Sequence, residues 1–211
     1  GDENMQPDLV WIKNRDGTDW HDLYDSVRGV TKRIYSNSNY AENTNTESLT
    51  AFGTNGFTVG NSGDVNTNTN KHVAWCWKAS GSTASNSNGS VTSTVSANTD
   101  AGFSIVSWTG NGTNPSTIGH GLGTTPKMFI VKNRSDSSNW VVYNEVLGNT
   151  KALYLDLTDA SGTVGAWNNT SPTSSVFTVN GANALNGSSD NMIAYCFANK
   201  QGAVKCGSYT G

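Results

Sequence analysis

Charge is scarce in this 211-residue chain: Asp, Glu, Lys and Arg together make up 14% of it, against about 25% in an ordinary globular protein. Thirteen Lys and Arg against sixteen Asp and Glu leave a net charge of −3. That balance gives no general attraction to a phosphate backbone, so nucleic acid is not an expected partner. No apolar run nears the roughly 18 residues of a membrane-spanning helix, and membrane insertion is not expected. The N-terminus lacks a basic stretch followed by an apolar one, so no secretory leader is expected. The chain opens on Gly1 rather than Met, as a processed chain or part of something longer would. Three cysteines are no disulfide framework, and none sits in a C-x-x-C pair that would suggest zinc or redox work. There is no G-x-S-x-G, H-E-x-x-H or P-loop, and no cofactor is expected.

What is abundant is neutral polarity. Asn, Ser and Thr account for 77 residues. Seven Trp, seven Tyr and six Phe are too many large rings for a disordered polar tract. The chain therefore folds, and its polar surface is built from hydrogen-bonding groups rather than ions.

An internal repeat organises the sequence. Pro7-Asp8-Leu9-Val10-Trp11-Ile12-Lys13-Asn14-Arg15 returns as Pro126-Lys127-Met128-Phe129-Ile130-Val131-Lys132-Asn133-Arg134. The offset of 119 holds without a gap to Tyr35/Tyr154, with ten of 29 positions identical. It then becomes 120 through Phe57-Thr58-Val59/Phe177-Thr178-Val179 and Val73-Ala74-Trp75-Cys76-Trp77/Ile193-Ala194-Tyr195-Cys196-Phe197. The copies are out of phase with the chain. Phe103 to Gly110 opens the second one, and its match, Val204 to Gly211, lies at the C-terminal end. Either the polypeptide continues as a longer array, or the terminal strand completes a module elsewhere by strand addition.

Short β-branched and aromatic runs bounded by Gly, Asn, Asp, Ser and Pro dominate, and no stretch carries helical periodicity over 11 residues. The expected fold is all-β: two tandem antiparallel β-sandwich modules of jelly-roll or lectin-like type. Residues 1–79 form the first module, lacking its opening strand. Residues 80–101 read as a Ser/Asn/Gly/Thr-rich linker or long surface loop outside the core, in which Val91 and Val95 could add a short edge strand. Residues 102–201 form the second module, and residues 202–211 an extra strand matching the start of a further module. In His72 to Lys78, Val73, Trp75 and Trp77 share one bulky face, expected to pack against an opposing sheet. Cys76 and Cys196 take equivalent strand positions and read as small buried hydrophobes.

Candidate chemistry is thin. His21 aligns with Trp140 and His72 with Met192, which marks packing positions rather than a conserved base. The Asp19-Trp20-His21-Asp22 cluster loses every ionisable group in the second copy. Asp64, Asn66, Asn68 and Asn70 alternate as in a calcium loop, but the EF-hand glycine and terminal Glu are missing. Lys13-Asn14-Arg15 and Lys132-Asn133-Arg134, kept in both copies, suit either an acidic glycan or a strand end whose cations lie over rings. The chain is not expected to be an enzyme. If it binds sugar, Trp20, Trp140 and Trp167 would stack on the rings, with Arg15 and Arg134 beside them. If it assembles by strand donation, Val204, Cys206, Ser208 and Tyr209 would form the donated strand.

Pro7 to Arg15, then Leu23-Tyr24-Asp25-Ser26-Val27-Arg28-Gly29, Phe52 to Gly60 and Val73 to Ala79, resembles a repeated module of marine bacteriophage virion structural or fibre-like proteins. The second copy departs from it at Asn144-Glu145-Val146-Leu147-Gly148. The resemblance implies a place on the virion exterior, as a fibre, decoration or tail-associated component, with a lectin-like sandwich by analogy. It supplies no catalytic residues. Expected partners are other copies of the chain or other virion proteins, and a host-surface glycan. The alternatives are a carbohydrate-binding adhesion module at a cell surface, and an extracellular filament subunit joined by its C-terminal strand.

Overall fold

Apolar side chains occupy both faces of the longer strands, and this two-sided burial stacks the chain into layers. The structure, a computed structural model, describes residues 4–211. In the first repeat lie β1 (Leu9–Asn14), β2 (Asp22–Asp25), β3 (Lys32–Tyr35) and β4 (Asn43–Thr44). They are followed by the hairpin β5 (Leu49–Gly53) and β6 (Gly56–Val59), a one-turn helix α1 (Gly63–Asn66), and β7 (His72–Trp77). Five of these strands form one antiparallel sheet in the order β4-β3-β2-β1-β7.

The remainder of the chain contributes β8 (Ala84–Asn86), β9 (Ser93–Asn98), β10 (Phe103–Thr109) and β11 (Ser116–Gly119). Then come β12 (Met128–Asn133), β13 (Val141–Asn144), β14 (Lys151–Tyr154), β15 (Gly162–Thr163), β16 (Val176–Val179), α2 (Asn183–Asn186) and β17 (Asn191–Phe197). They build an eight-stranded sheet, β15-β14-β13-β12-β17-β10-β9-β8, and a separate β11–β16 pair. The protein is therefore all-β and antiparallel, and α1 and α2 are the only helices among the described residues.

Strand for strand, β1-β2-β3-β4-β7 matches β12-β13-β14-β15-β17, and the registers agree. Trp11 faces Trp75 across β1–β7, as Ile130 faces Tyr195 across β12–β17. The bulky face of β17 meets an opposing sheet, which belongs to the other repeat; on β7 only Trp77 joins that cluster, and Trp75 stays 47% exposed against expectation because nothing pairs with its outer edge. Leu9, Leu23 and Ile34 from the first sheet join Phe103, Tyr195 and Phe197 from the second in one buried cluster. The outer faces are covered by small local pieces. The β5–β6 hairpin and Val65 of α1 cover Val10, Ile12 and Tyr24, while Phe177, Val179 and Ile118 cover Phe129, Val131 and Val106. Each large apolar side chain so buried contributes roughly 1.5–3 kcal/mol.

Two expectations are corrected here. Residues 80–101 are not a loop outside the core: β8 and β9 extend the larger sheet, and Val91 and Val95 are buried in its outer cluster. Their Ser- and Asn-rich sequence hides a strand because the side chains alternate between a polar surface and small core contacts. Residues 202–211 form no strand in this chain; only a Lys200–Val204 bridge is present. Both edges of β17, the strand that precedes them, are already taken by β12 and β10.

Candidate functional site

The repeated Lys-Asn-Arg stretch ends β1 and β12, and it closes the turn that follows each strand. Lys13 Nζ donates to the carbonyls of Gly17 and Asp19 at 2.9 and 3.1 Å. Lys132 Nζ donates to Asn133 O at 2.6 Å and Asn39 O at 3.2 Å. Burial pushes the Lys132 ammonium down to about 8. Asn14 and Asn133 accept N–H bonds from two residues on, at 3.0 and 2.8 Å, a local turn-fixing contact.

Arg134, offered above as a glycan contact, is an internal clamp. Its Nε and Nη2 grip the Glu42 carboxylate at 2.9 Å each, and Arg28 Nη1 reaches the same carboxylate at 3.0 Å. Burial alone would raise the Glu42 carboxyl, but hydrogen bonds from Arg134 and the charges of Arg28 and Arg134 hold it below its ordinary value. Trp140 and Trp167 are also withdrawn from any ligand, both 0% exposed. Trp140 lies between the sheets, its Nε1 donating to Tyr35 O at 2.7 Å and Ser38 O at 3.1 Å. Trp167 packs in the outer cluster of the second repeat and donates to Lys151 O at 2.9 Å. Arg15 is exposed, and its side chain makes no hydrogen bond or ion pair among the described residues.

Trp20 remains as a surface ring, 41% exposed. It shares a shelf with Tyr40, whose ring centroid lies 5.7 Å away at 74°, and with Tyr35 at 5.8 Å. The hollow beside it, about 310 Å³, is lined by Asn37, Asn39, Tyr40, Asn139 and Asp156. Rings flanked by amides and a carboxylate suit a polyhydroxylated ligand, which offers C–H faces and hydroxyls together. Composition could not have found Tyr40 and Asn139, which come together only because the repeats pack.

The other notable surface is the free edge of β7. Its equivalent, β17, has β12 on one side and β10 on the other, whereas β7 has β1 alone. The consequence shows in exposure. Tyr195 is 1% exposed and its match Trp75 is 47% exposed; Cys196 is buried and Cys76 half-buried. Trp11, Lys13, His21, Trp75 and Trp77 line a largely apolar groove of about 450 Å³ on this side. The other edges of the two large sheets, β4, β8 and β15, are two or three residues long, the usual protection against unwanted pairing. β7 is six residues long, apolar and without proline.

Nothing in the structure assembles a catalytic centre around the sequence candidates. Asp22 is buried and accepts from Tyr24 Oη at 2.9 Å, while the neighbouring His21 turns to the groove. Asp64 of the alternating loop is committed to an ion pair with Arg33. His120 is buried, accepting from Leu122 N–H at 3.2 Å with Thr173 O on its other nitrogen. Among the described residues no group of three or more His, Cys, Asp or Glu is placed to hold a metal, and no helix is long and apolar enough to cross a membrane. No curated protein and no solved structure matches the chain. A family model described as Domain of unknown function (DUF7483) matches residues 2–211, and the chain belongs to that family.

Proposed function

We propose that the chain is a non-enzymatic structural component of a phage virion exterior, a fibre, decoration or tail-associated part. The observation that carries this reading is the contrast between two equivalent strands, β17 paired on both sides and β7 on one. A long apolar edge left open is a hazard in a solitary protein and a joint in an assembled one. The sequence resemblance to marine phage structural modules supports the virion exterior as its place. A surface of neutral hydrogen-bonding side chains suits such exposure, and the partners are other copies or other virion proteins. Peptide mass analysis of gradient-purified particles tests the placement. Many copies per particle are expected; a chain confined to the soluble lysate overturns it.

A second reading, host-glycan attachment, is favoured by one observation, the exposed Trp20–Tyr40 shelf with its amides. A neutral glycan is the fitting ligand. Binding on a glycan array that disappears in Trp20→Ala and Tyr40→Ala supports it, whereas equal binding by wild type and both variants removes the shelf from the mechanism.

A further inference from the structure

We infer that the open edge of β7 takes residues 204–211 of a second copy of the chain as an added antiparallel strand, in the register β10 holds on β17. This deepens the structural reading above, and rests on it only in requiring that copies associate.

The chain carries both halves of the joint. Val204-Lys205-Cys206-Gly207-Ser208-Tyr209-Thr210-Gly211 matches Phe103-Ser104-Ile105-Val106-Ser107-Trp108-Thr109-Gly110 in the order of apolar, small and aromatic positions, with Ser, Thr and Gly identical at the end. In the second repeat that strand is β10, and it fills the edge of β17 with Phe103 opposite Phe197, Ile105 opposite Tyr195 and Trp108 opposite Met192. Transferred by the repeat, the same register sets Val204 opposite Trp77, Cys206 opposite Trp75, Gly207 opposite Ala74 and Tyr209 opposite His72. Lys205 and Gly207 are the departures, standing where the second repeat has Ser104 and Val106.

Backbone direction agrees. Trp77 O accepts from Asp8 N at 2.8 Å and Lys71 O from Arg15 N at 2.7 Å. The odd-numbered residues of β7 thus bond to β1, and by antiparallel alternation the N–H and C=O groups of His72, Ala74 and Cys76 point to the open side. On β17 the equivalent parity serves β10: Ala198 N bonds to Gly102 O at 2.7 Å and Gly110 N to Asp190 O at 2.8 Å.

One of the buried polar atoms without a partner lies on β7 itself. His72 Nε2 is buried without a hydrogen-bond partner, and Tyr209 would be its cross-strand neighbour. In the second repeat Trp108 Nε1 donates to the buried Asn186 Oδ1 at 3.3 Å. Its match Asn66 is exposed in the first repeat, and Tyr209 brings a hydroxyl donor to that position. At the strand end a Cβ on Gly110 would lie 2.1 Å from Gly187 O, so the site demands glycine, and the terminal match is Gly211.

In its own chain the segment is poorly used. Tyr209 is 95% exposed, and Val204 and Cys206 lean half-buried on the inter-sheet cluster. Three main-chain contacts hold it: Lys200 N to Val204 O at 2.8 Å, Val204 N to Lys200 O at 3.0 Å, and Cys206 N to Asn199 Oδ1 at 2.8 Å. Donation requires that this stretch straighten, give up these bonds and lift Val204 and Cys206 off the cluster. β10 follows the first repeat in the chain and completes the edge of the second; by the same order residues 204–211 are fitted to the edge of a repeat other than the one they follow, and the open edge of that kind among the described residues is β7.

The test is a register-specific cross-link in the full chain. Opposite positions in a non-hydrogen-bonded antiparallel pair lie about 4.5 Å apart at Cα, within the span a disulfide accepts. Trp75→Cys would face Cys206 of the next copy in such a pair. With oxidised glutathione taking up the two electrons and two protons, a ladder of covalent oligomers is expected on a non-reducing gel. It should be lost on adding Cys206→Ser and absent from Val73→Cys, which faces Ser208. A folded Trp75→Cys chain that stays monomeric, or that closes a disulfide within one chain, overturns the inference. If Trp75→Cys fails to fold, sedimentation of the unaltered chain decides: association should be concentration-dependent and lost when residues 205–211 are removed, and unchanged association overturns it. A chain that ladders yet is missing from particles retains the joint and overturns the virion placement. A chain present in particles that does not ladder overturns the joint alone.

Discussion

Tyr195 of the second repeat donates its hydroxyl to the Asp25 carboxylate of the first at 2.7 Å, inside the layer where the two sheets meet. Arg28 grips the same carboxylate oxygen through Nε, and its Nη2 donates to Leu23 O at 2.9 Å. Burial and the Asp25 charge act on the Tyr195 hydroxyl in one direction and Arg28 opposes them; the net effect is a hydroxyl held well above its ordinary range, a permanent donor. Tyr195→Phe keeps the ring and removes this donor. We expect a loss of about 1.5–3 kcal/mol in chemical denaturation, the range for a hydrogen bond to a charged group. A loss near zero would show that the link between repeats is carried by apolar packing alone.

The aromatic residues should divide sharply by environment. Trp140→Ala empties a position between the sheets and strands the Tyr35 and Ser38 carbonyls, so about 3–5 kcal/mol is expected. Trp20→Ala, on the surface shelf, should cost under about 1 kcal/mol. Thermal melts of the two variants side by side check this, and equal destabilisation would contradict the burial difference.

Asp22 gives a pH signature. Burial raises its carboxyl to about 7, although Arg33 and the Tyr24 hydrogen bond pull the other way, and its Oδ1 is buried without a partner. Folded chain therefore holds this proton up to about pH 7, while unfolded chain releases it near 3.8. Between those values the folded state binds more protons, so this group's contribution to stability is present below about pH 4 and is lost as pH rises through 7. Asp22→Asn abolishes the slope. It should exceed wild type by on the order of 1–3 kcal/mol at pH 8, with the gap closing toward pH 4. A gap of the same size at both pH values would sink the assignment.

Glu42 behaves in the opposite sense. Its carboxyl is held below the ordinary value against the pull of burial by Arg134 and Arg28, so the stability it contributes is present above the usual carboxylate range and lost as pH falls through its lowered folded value. Glu42→Gln leaves the wholly buried Arg28 with Asp25 alone and weakens the Arg134 clamp. A cost of about 2–4 kcal/mol at pH 7, shrinking in acid, is expected from urea titrations at several pH values.

The sequence by itself determined the all-β class, the duplication and the alternation of side chains along the strands. Two-residue alternation is a local property, and the 119–120 spacing superposes β1 on β12 and β7 on β17 without any long-range information. The match of Val204–Gly211 to Phe103–Gly110 was legible in the same way. Local pattern does not say which surfaces meet. Trp20 and Trp140 stand in similar polar surroundings in the chain, yet one is exposed and the other sealed between sheets, because the two repeats pack against each other and Trp140 lies in the layer between them. Val91 and Val95 look like part of a polar linker and become core once β9 pairs with β10. Arg134 looks like a surface cation and is clamped by a glutamate 92 positions away. Only the tertiary structure decided these, since burial is a property of two surfaces brought together, and only it showed that β7, built on the same pattern as the doubly paired β17, keeps one edge free.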